Sequence, residues 1–319
     1  MLRTTYDIFI LPPVAGEKNS YCFDINNRRE VIGHSGKDPM FGVPTVWRKN
    51  KPYELICNNP VYRNHGRATS INDDSIICGS FAGAGGACFW KNGNFFQLKI
   101  PKEYRFSSAY CINGKNNIYG IIEKNIDKGN AVLWKNQEPE IIRINVDEIC
   151  SRIISCNEKE CLLGYTIGRK NDYFIIRSGK AEYLSEMIRR EGEYFSINNK
   201  NIISGMIEDK GVMRAAIIDR GRVKFLISKE YSESKCYFTD MIGNSTGYFV
   251  KNNNKNAFLV KDNIFYDINK EFGNKNIHFE NALCMNLRGD ICCQGVVDGK
   301  KVAILLGVAS KPKKTHLFV

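Results

Sequence analysis

The sequence predicts an all-β protein, specifically a seven-bladed β-propeller built from four-stranded antiparallel blades. Three observations lead to this fold class. A unit of strand-like segments recurs about every 41 to 46 residues, and turn residues separate short apolar runs within each unit. The segment YDIFIL near the start of the chain also resembles the last strand of a unit. A period of this length with four strands per unit is typical of a propeller blade.

The unit is clearest at residues 86–98, where GACFWKNGNFFQL indicates two short strands around a tight turn. Similar phrases occur at residues 43–55 and 130–142, and weaker copies follow in the second half of the chain. The predicted units lie near residues 20–56, 67–100, 107–145, 150–184, 193–228, 234–269 and 281–308. They leave no room for a linker, so we expect residues 1–319 to form a single domain.

The first strand of every unit is expected to end at an Asn or Asp, here called the anchor. The anchors are Asn26, Asn72, Asn113, Asn157, Asn198, Asp240 and Asn286. Such a side chain can hydrogen-bond the backbone two residues on, which favours a turn. In six units a glycine follows seven residues later, at Gly33, Gly79, Gly120, Gly164, Gly205 and Gly247. The repeated glycine predicts close backbone approach where the inner strands crowd a central channel.

The predicted third strand carries Trp47, Trp90 and Trp134 in the first three units. Large apolar side chains at a fixed place in a repeat are expected to pack between neighbouring blades. The seventh unit lacks an obvious fourth strand. Residues 6–11 are therefore predicted to complete that blade and close the ring, which removes two exposed sheet edges.

The pattern of Ile-Asn, then a glycine-containing strand, then Trp followed by a turn and Leu resembles the bacterial HAF-repeat family, which contains probable extracellular repeat proteins. The His-Ala-Phe tripeptide that names the family is absent. Residues Pro44-Thr45-Val46, Ala87-Cys88-Phe89 and Ala131-Val132-Leu133 precede the tryptophans. The resemblance implies a propeller fold and carries no catalytic residues.

Composition favours particular partners and locations. A formal net charge of +12 and a pI near 9.1 favour nucleic acid, an anionic membrane surface or an acidic protein face, although a basic surface also serves solubility. No apolar run approaches the roughly 20 residues that span a bilayer, and the N-terminus lacks a convincing signal peptide. We therefore expect a cytoplasmic protein, or one exported without a cleaved signal.

The twelve cysteines lie mostly inside apolar strand-like runs, which predicts buried, reduced thiols rather than a disulfide framework. No CxxC motif pairs with a second CxxC or with spaced histidines, so neither a structural zinc site nor a cofactor is expected.

We call the side that carries the loops after the second and fourth strands of each unit the top face. The bottom face carries the turns after the first and third strands. His34, His65 and His278 are assigned to top loops of neighbouring blades, where they could form an acid–base or metal site with Asp38, Glu280 or Asp298. These histidines are weak catalytic candidates, because they have no local ligand spacing. They support the alternative that the protein is a hydrolase or lyase.

Aromatic and basic residues interleave in two other top loops. The candidate binding residues are Tyr62, Arg63, Arg67, Lys102, Tyr104, Arg105 and Phe106. Stacking and cationic groups of this kind suit a peptide, an anionic glycan or single-stranded nucleic acid. The favoured hypothesis is a non-enzymatic scaffold that binds a protein or another anionic partner through these loops. A basic nucleic-acid-binding propeller is the third possibility, and the sequence predicts no oligomeric state.

Overall fold

The computed structural model describes residues 4–82, 86–125, 128–144, 149–168 and 171–309. This part of the chain contains 28 β-strands, two short α-helices and one 3-10 helix. The expectation of an all-β chain is therefore confirmed. Strong alternation of apolar and polar residues, with turn residues every few positions, explains why extended structure dominates.

The strands fall into consecutive four-stranded units, numbered here from the N-terminus. Unit 1 contains β2 (Asn19–Ile25), β3 (Val31–Gly36), β4 (Val43–Arg48) and β5 (Lys51–Glu54). Unit 2 contains β6 (Gly66–Ile71), β7 (Ile77–Phe81), β8 (Gly86–Lys91) and β9 (Asn94–Gln97). Unit 3 contains β10 (Phe106–Ile112), β11 (Ile118–Asn125), β12 (Lys128–Lys135) and β13 (Glu138–Ile142). Unit 4 contains β14 (Cys150–Cys156), β15 (Leu162–Ile167), β16 (Asp172–Arg177) and β17 (Lys180–Tyr183).

The remaining units continue the pattern. Unit 5 contains β18 (Gly192–Ile197), β19 (Ile203–Asp209), β20 (Val212–Asp219) and β21 (Arg222–Phe225). Unit 6 contains β22 (Ser234–Thr239), β23 (Ser245–Lys251), β24 (Asn254–Lys261) and β25 (Ile264–Asp267). Unit 7 contains β26 (Ile277–Met285), β27 (Ile291–Val297), β28 (Lys300–Val308) and the N-terminal β1 (Tyr6–Leu11). The 3-10 helix (Pro60–Tyr62), α1 (Leu184–Ile188) and α2 (Ile268–Phe272) lie between units.

Each unit is an antiparallel meander in which strands pair in chain order. A single parallel pair, Gly129 with Cys150, joins units 3 and 4 into one eight-stranded sheet. The first strands of successive units contact one another, and the first strand of unit 7 also contacts that of unit 1. β1 pairs with β28 from Tyr6 opposite Val308 to Leu11 opposite Ala303, so the segment YDIFIL is the fourth strand of unit 7.

The anchor side chains serve two purposes. In unit 1, Asn26 Oδ1 accepts hydrogen bonds from the backbone N–H groups of Arg28 and Glu30, which fixes the turn as predicted. Its Nδ2 also donates to the carbonyl of Asn72, the anchor of unit 2, at 3.2 Å. Equivalent bonds between anchors run from Asn72 to Asn113, Asn157 to Asn198, Asn198 to Asp240 and Asn286 to Asn26. The anchors therefore hold neighbouring units together as well as starting turns.

The recurrent glycines mark a close backbone approach, as predicted. A Cβ on Gly33 would lie 1.8 Å from the Tyr21 carbonyl oxygen, where a bulge between Cys22 and Asp24 shifts the register of β2. A Cβ on Gly120 would meet Ser108 O at 1.9 Å in the same way. The glycine thus accommodates a β-bulge in the first strand of its own unit. The close neighbour is therefore the first strand of the same unit, and crowding at a central channel stays a prediction.

The three tryptophans pack between neighbouring units, as predicted. Trp47 is fully buried with Leu11 and Leu305 of unit 7, and Trp134 is buried with Ile76 and Leu98 near unit 2. Each indole Nε1 donates to a backbone carbonyl in the segment that precedes its own unit. The acceptors are Pro12 O at 2.7 Å, Ile56 O at 2.9 Å and Lys99 O at 2.7 Å. Burial of the ring is therefore combined with satisfaction of its one polar group.

None of the twelve cysteines is paired in a disulfide, and ten of them are buried. The neighbours Cys292 and Cys293 belong to different hydrophobic clusters because successive strand residues point to opposite faces. Burial raises the pKa of both thiols well above its ordinary value. Among the described residues, no helix is long and apolar enough to cross a membrane.

Candidate functional site

The histidine candidates occupy three different environments. His34 lies in β3 rather than in a loop, and it is completely buried. Its ring stacks on Tyr21 with centroids 4.9 Å apart, and Nε2 donates to the Asp38 carbonyl at 2.9 Å. Burial lowers the pKa of His34 to about 4, so the ring is neutral near pH 7. The geometry therefore gives His34 a packing role.

Of the other two histidines, His278 lies in β26 rather than in the predicted loop, whereas His65 lies in a loop. His278 Nε2 donates to the Lys255 carbonyl at 2.8 Å, and His65 is exposed in the loop after unit 1. In the same part of the chain, no group of three or more His, Cys, Asp or Glu side chains is placed to hold a metal ion. A catalytic role for the three histidines stays a prediction, and the burial of His34 does not favour it.

The aromatic and basic residues of the top face are only partly available to a ligand. Tyr104 is 7% exposed, and its hydroxyl donates to Asn130 Oδ1 at 2.7 Å. Arg63 forms two hydrogen bonds with the Glu54 carboxylate, at 2.7 and 2.8 Å, so its charge is already paired. These groups support the local structure of the loops.

Two further members of that set are half-buried. Tyr62 packs against the hydrophobic cluster shared by units 1 and 2, and the Arg67 guanidinium lies 5.4 Å from the centre of the Phe41 ring. Lys102, Arg105 and Phe106 remain exposed. The predicted top surface therefore presents three of its seven residues to solvent.

The bottom face carries a regular set of cations that surrounds the anchors. In every unit, the residue two positions after the anchor donates its backbone N–H to the anchor oxygen, which places these residues equivalently. Five of the seven are basic, and the complete set is Arg28, Asp74, Lys115, Lys159, Lys200, Ile242 and Arg288. The anchor turn thus displays a cation toward the same side in most units.

A second set of cations lies at the ends of the third strands on the same face. In units 1 to 6 these positions hold Arg48, Lys91, Lys135, Arg177, Asp219 and Lys261, so five of the six are basic. Lys91, Lys135, Lys159 and Lys200 make no ion pair within the described residues, so their charges act on the solvent side. We call the two sets together the basic face. The sequence analysis did not identify this surface, although aligning the turns of all units would have shown both sets.

Three clefts open along the basic face. A cleft of about 390 Å³ lies between units 2 and 3, one of about 770 Å³ between units 3 and 4, and one of about 670 Å³ across the turns of units 4 to 6. Asn117 lines the first two clefts, and Lys159 lines the last two. The clefts are therefore neighbours along one surface, which offers apolar floors between cationic rims.

Comparison with solved structures identifies the fold. YCF48 bound to D1 peptide matches 97% of this chain and 99% of its own, with a TM-score of 0.61 and 10% identity. YCF48 from Cyanidioschyzon merolae matches 94% of this chain and 98% of its own, with a TM-score of 0.60 and 9% identity. The β-propeller domain of the Trilobed protease from Pyrococcus furiosus matches 76% of this chain and 79% of its own, with a TM-score of 0.54 and 11% identity.

No protein-family model matches the sequence, and no curated protein sequence matches it either. The HAF-repeat resemblance therefore stays a prediction. Identities of about 10% show a shared architecture and nothing finer. Together with the four-stranded antiparallel units, these likenesses show that the chain has the β-propeller fold.

Proposed function

We propose that the chain is a closed seven-bladed propeller that acts as a non-enzymatic scaffold for a protein partner. Closure is supported by the pairing of β1 with β28 and by the hydrogen bond from Asn286 Nδ2 to Asn26 O, which links the last anchor to the first. Each unit then supplies one blade. The pairing of β1 with β28 covers two strand edges that would otherwise be exposed, and a closed ring holds the turns of all units rigidly in one surface.

The partner-binding role is carried by one observation, the basic face. Lys or Arg occupies five of the seven positions that follow the anchors by two residues, and three of these side chains, Arg28, Lys159 and Lys200, make no ion pair within the described residues. Unpaired cations fixed on a rigid frame create a positive potential, which steers an acidic partner and selects against basic ones. We therefore propose that an acidic surface or segment of another protein binds to this face. A protein-bound propeller among the structural neighbours, YCF48 with its D1 peptide, is in keeping with such a role.

The clefts favour a protein over nucleic acid. A nucleic-acid strand would use the cations and could stack a base on an aromatic residue of a floor, whereas a protein segment supplies carboxylates for the rims and aliphatic side chains for the floors together. The hydrolase or lyase alternative depends on His34, His65 and His278. It would require that substituting these residues abolish a turnover.

The proposal is tested by comparing two charge-reversed proteins. One carries Lys135→Glu, Lys159→Glu and Lys200→Glu on the basic face. The other carries the same change in charge on the top face, at Lys37, Lys102 and Arg105, all of which are exposed. Tagged wild-type and variant proteins are used to capture partners from lysate at low and at high salt, and both protein and nucleic acid are measured.

We expect the basic-face variant to lose a specific protein that the wild type and the top-face variant both retain. Loss of that protein only from the top-face variant would refute the basic face and favour the loops that contain Lys102, Arg105 and Phe106. Capture of nucleic acid that disappears steeply with salt would instead favour the nucleic-acid hypothesis. Circular dichroism and thermal unfolding of both variants serve as the control for folding.

A further inference from the structure

The groove between units 3 and 4 has the largest volume of the three clefts described above. Its floor is formed by the buried side chains of Tyr119, Leu162 and Ile176. Half-buried Leu133 and Ile142 line its wall on the unit 3 side. A volume of about 770 Å³ falls within the range of recesses that bind ligands, roughly 300 to 1,000 Å³. The groove is therefore large enough to receive more than one side chain of a partner.

The rim of this groove is strongly positive. Lys135, Arg143, Lys159 and Arg177 line it. The single carboxylate in the described lining is Glu160, which accepts a hydrogen bond from Asn117 Nδ2 at 3.1 Å and lies 3.2 Å from Lys115 Nζ. Since Glu160 is already engaged by Lys115, the rim has an excess of positive charge. An occupant with carboxylates would complement it.

Arg177 provides a more specific indication. Its Nε is buried and has no hydrogen-bond partner among the described residues. The side chain as a whole is only half-buried, and its terminal guanidinium N–H groups also have no partner among the described residues, so they can donate charge-assisted hydrogen bonds to a carboxylate in the groove. The guanidinium lies at the end of β16, beside the apolar floor. A carboxylate near Arg177 would therefore sit next to an apolar side chain in the groove.

We propose that this groove binds an acidic segment of a partner protein, with an apolar side chain on the floor and a neighbouring carboxylate on Arg177. The inference rests on the proposed function and makes it more specific, since it names one recess of the basic face and the chemistry of its occupant. Apolar contact supplies the buried anchor, and the rim cations select acidic flanking residues. A base of a nucleic-acid strand could stack on Tyr119, but the aliphatic surface of Leu162 and Ile176 suits an apolar side chain of a protein segment better.

The test uses a fluorescein-labelled peptide in which leucines interrupt a run of glutamates, with binding followed by fluorescence anisotropy. A second peptide replaces the leucines with serine. The full-length protein carries Ala181→Glu or Ala181→Gln, because Ala181 is an exposed lining residue on β17. The two variants add the same bulk and differ only in charge. Arg177→Gln removes the proposed carboxylate partner, and Arg105→Gln on the top face is the matched control.

We expect Ala181→Glu and Arg177→Gln each to weaken binding about tenfold or more. Ala181→Gln and Arg105→Gln should stay within about threefold of the wild type. The serine peptide should bind at least about tenfold more weakly. Unchanged binding in Ala181→Glu and Arg177→Gln would overturn the proposal, as would equal affinity for the two peptides or absence of any binding. Displacement of the leucine peptide by single-stranded RNA, with Ala181→Glu also blocking the RNA, would assign the groove to nucleic acid.

Failure here can be distinguished from failure of the proposed function. If the basic-face variant loses a protein partner from lysate while Ala181→Glu leaves the affinity for the leucine peptide unchanged, the scaffold role stands and this groove is the wrong recess. If lysate capture is unaffected by the basic-face variant, the proposed function itself is wrong.

Discussion

Replacing Asp290 with Asn should weaken the junction between units 7 and 1. Asp290 is completely buried, and its carboxylate accepts hydrogen bonds from Arg29 Nε at 2.8 Å and Arg29 Nη2 at 2.6 Å. It also accepts from Val308 N at 2.8 Å and from Asn286 Nδ2 at 3.0 Å. Arg29 belongs to unit 1, so this ion pair ties the two ends of the repeat together.

The expected loss is about 3 kcal/mol in the free energy of unfolding, the lower end of the range for breaking a buried ion pair by removing one partner. The lower end applies because the Arg29 side chain is 30% exposed and can recover part of its hydration. Asn at position 290 keeps the size of the side chain and can still accept from Val308 N. The loss in the free energy of unfolding therefore measures the effect of removing the negative charge of Asp290.

The ion pair also predicts a dependence on pH. Burial alone would raise the pKa of Asp290, but hydrogen bonds from Arg29, Asn286 and Val308 N outweigh it and leave that pKa below its ordinary value. A lowered pKa in the folded state gives stability that is present above the unfolded pKa of about 3.9. This stability is lost as the pH falls through the lower folded value. The Asp290→Asn variant should lack that part of the acid sensitivity.

Urea unfolding of the wild type and Asp290→Asn at pH 7 and pH 3 measures both effects. The exposed Asp74 on the same face provides the matched control, and Asp74→Asn should change stability by less than about 0.5 kcal/mol. A double-mutant cycle with Arg29→Gln isolates the pair. If Asp290→Asn is as stable as the wild type at pH 7, or if the coupling with Arg29 is close to zero, the reasoning about this junction is refuted.

Three further predictions concern the anchors, the bulge and the buried histidine. Asp240 accepts a hydrogen bond from Asn244 Nδ2 at 2.7 Å, whereas in unit 7 the amide and the carboxylate exchange places and Asn286 donates to Asp290. Asp240→Asn alone should lower the free energy of unfolding by about 1 kcal/mol, because two amide NH2 groups would then face each other. Adding Asn244→Asp should restore the stability measured by urea unfolding. Gly33→Ala should destabilise by about 3 kcal/mol because its Cβ would overlap the Tyr21 carbonyl, and wild-type stability would contradict this account. Burial lowers the pKa of His34 to about 4, against 6.5 in the unfolded chain, so the stability of the wild type declines as the pH falls from 6.5 to 4. In His34→Gln the slope of the unfolding free energy against pH should be smaller over this range. An unchanged slope would count against burial of His34 as the cause.

The architecture was predictable because its signals are local and repeated. Asn26 starts a turn through bonds to residues two and four positions away, and Trp47 occupies a fixed place in an apolar strand, so both are visible in a short window. The bond from Asn26 Nδ2 to Asn72 O was not predictable, since the acceptor is a main-chain carbonyl 46 residues away and the repeat spacing does not show which groups of neighbouring units are in contact. Local turn chemistry is therefore easier to recognise than the contacts between units.

The candidate site was harder to predict for a related reason. Tyr104 belongs to a loop whose composition suits binding. However, its hydroxyl donates to Asn130 in the next unit, and its ring is buried in the cluster between units 2 and 3. His34 was assigned to a loop, yet β3 continues through Gly36 and carries the ring into the interior. Whether a loop residue is exposed depends on the neighbouring unit, which the sequence of one unit does not contain.

The pairing of β1 with β28 has a mechanical consequence. Tyr6, at the start of one strand, lies opposite Val308, at the end of the other, so tension applied outward at these two residues acts at the same end of the ladder. The hydrogen bonds of an antiparallel pair lie across the strands. Such a force breaks the hydrogen bonds between β1 and β28 one after another, whereas a shearing force would act on all of them at once. We expect the propeller to yield first at this seam under a small pulling force, while tension between two positions on opposite ends of β27 and β28 would meet far greater resistance.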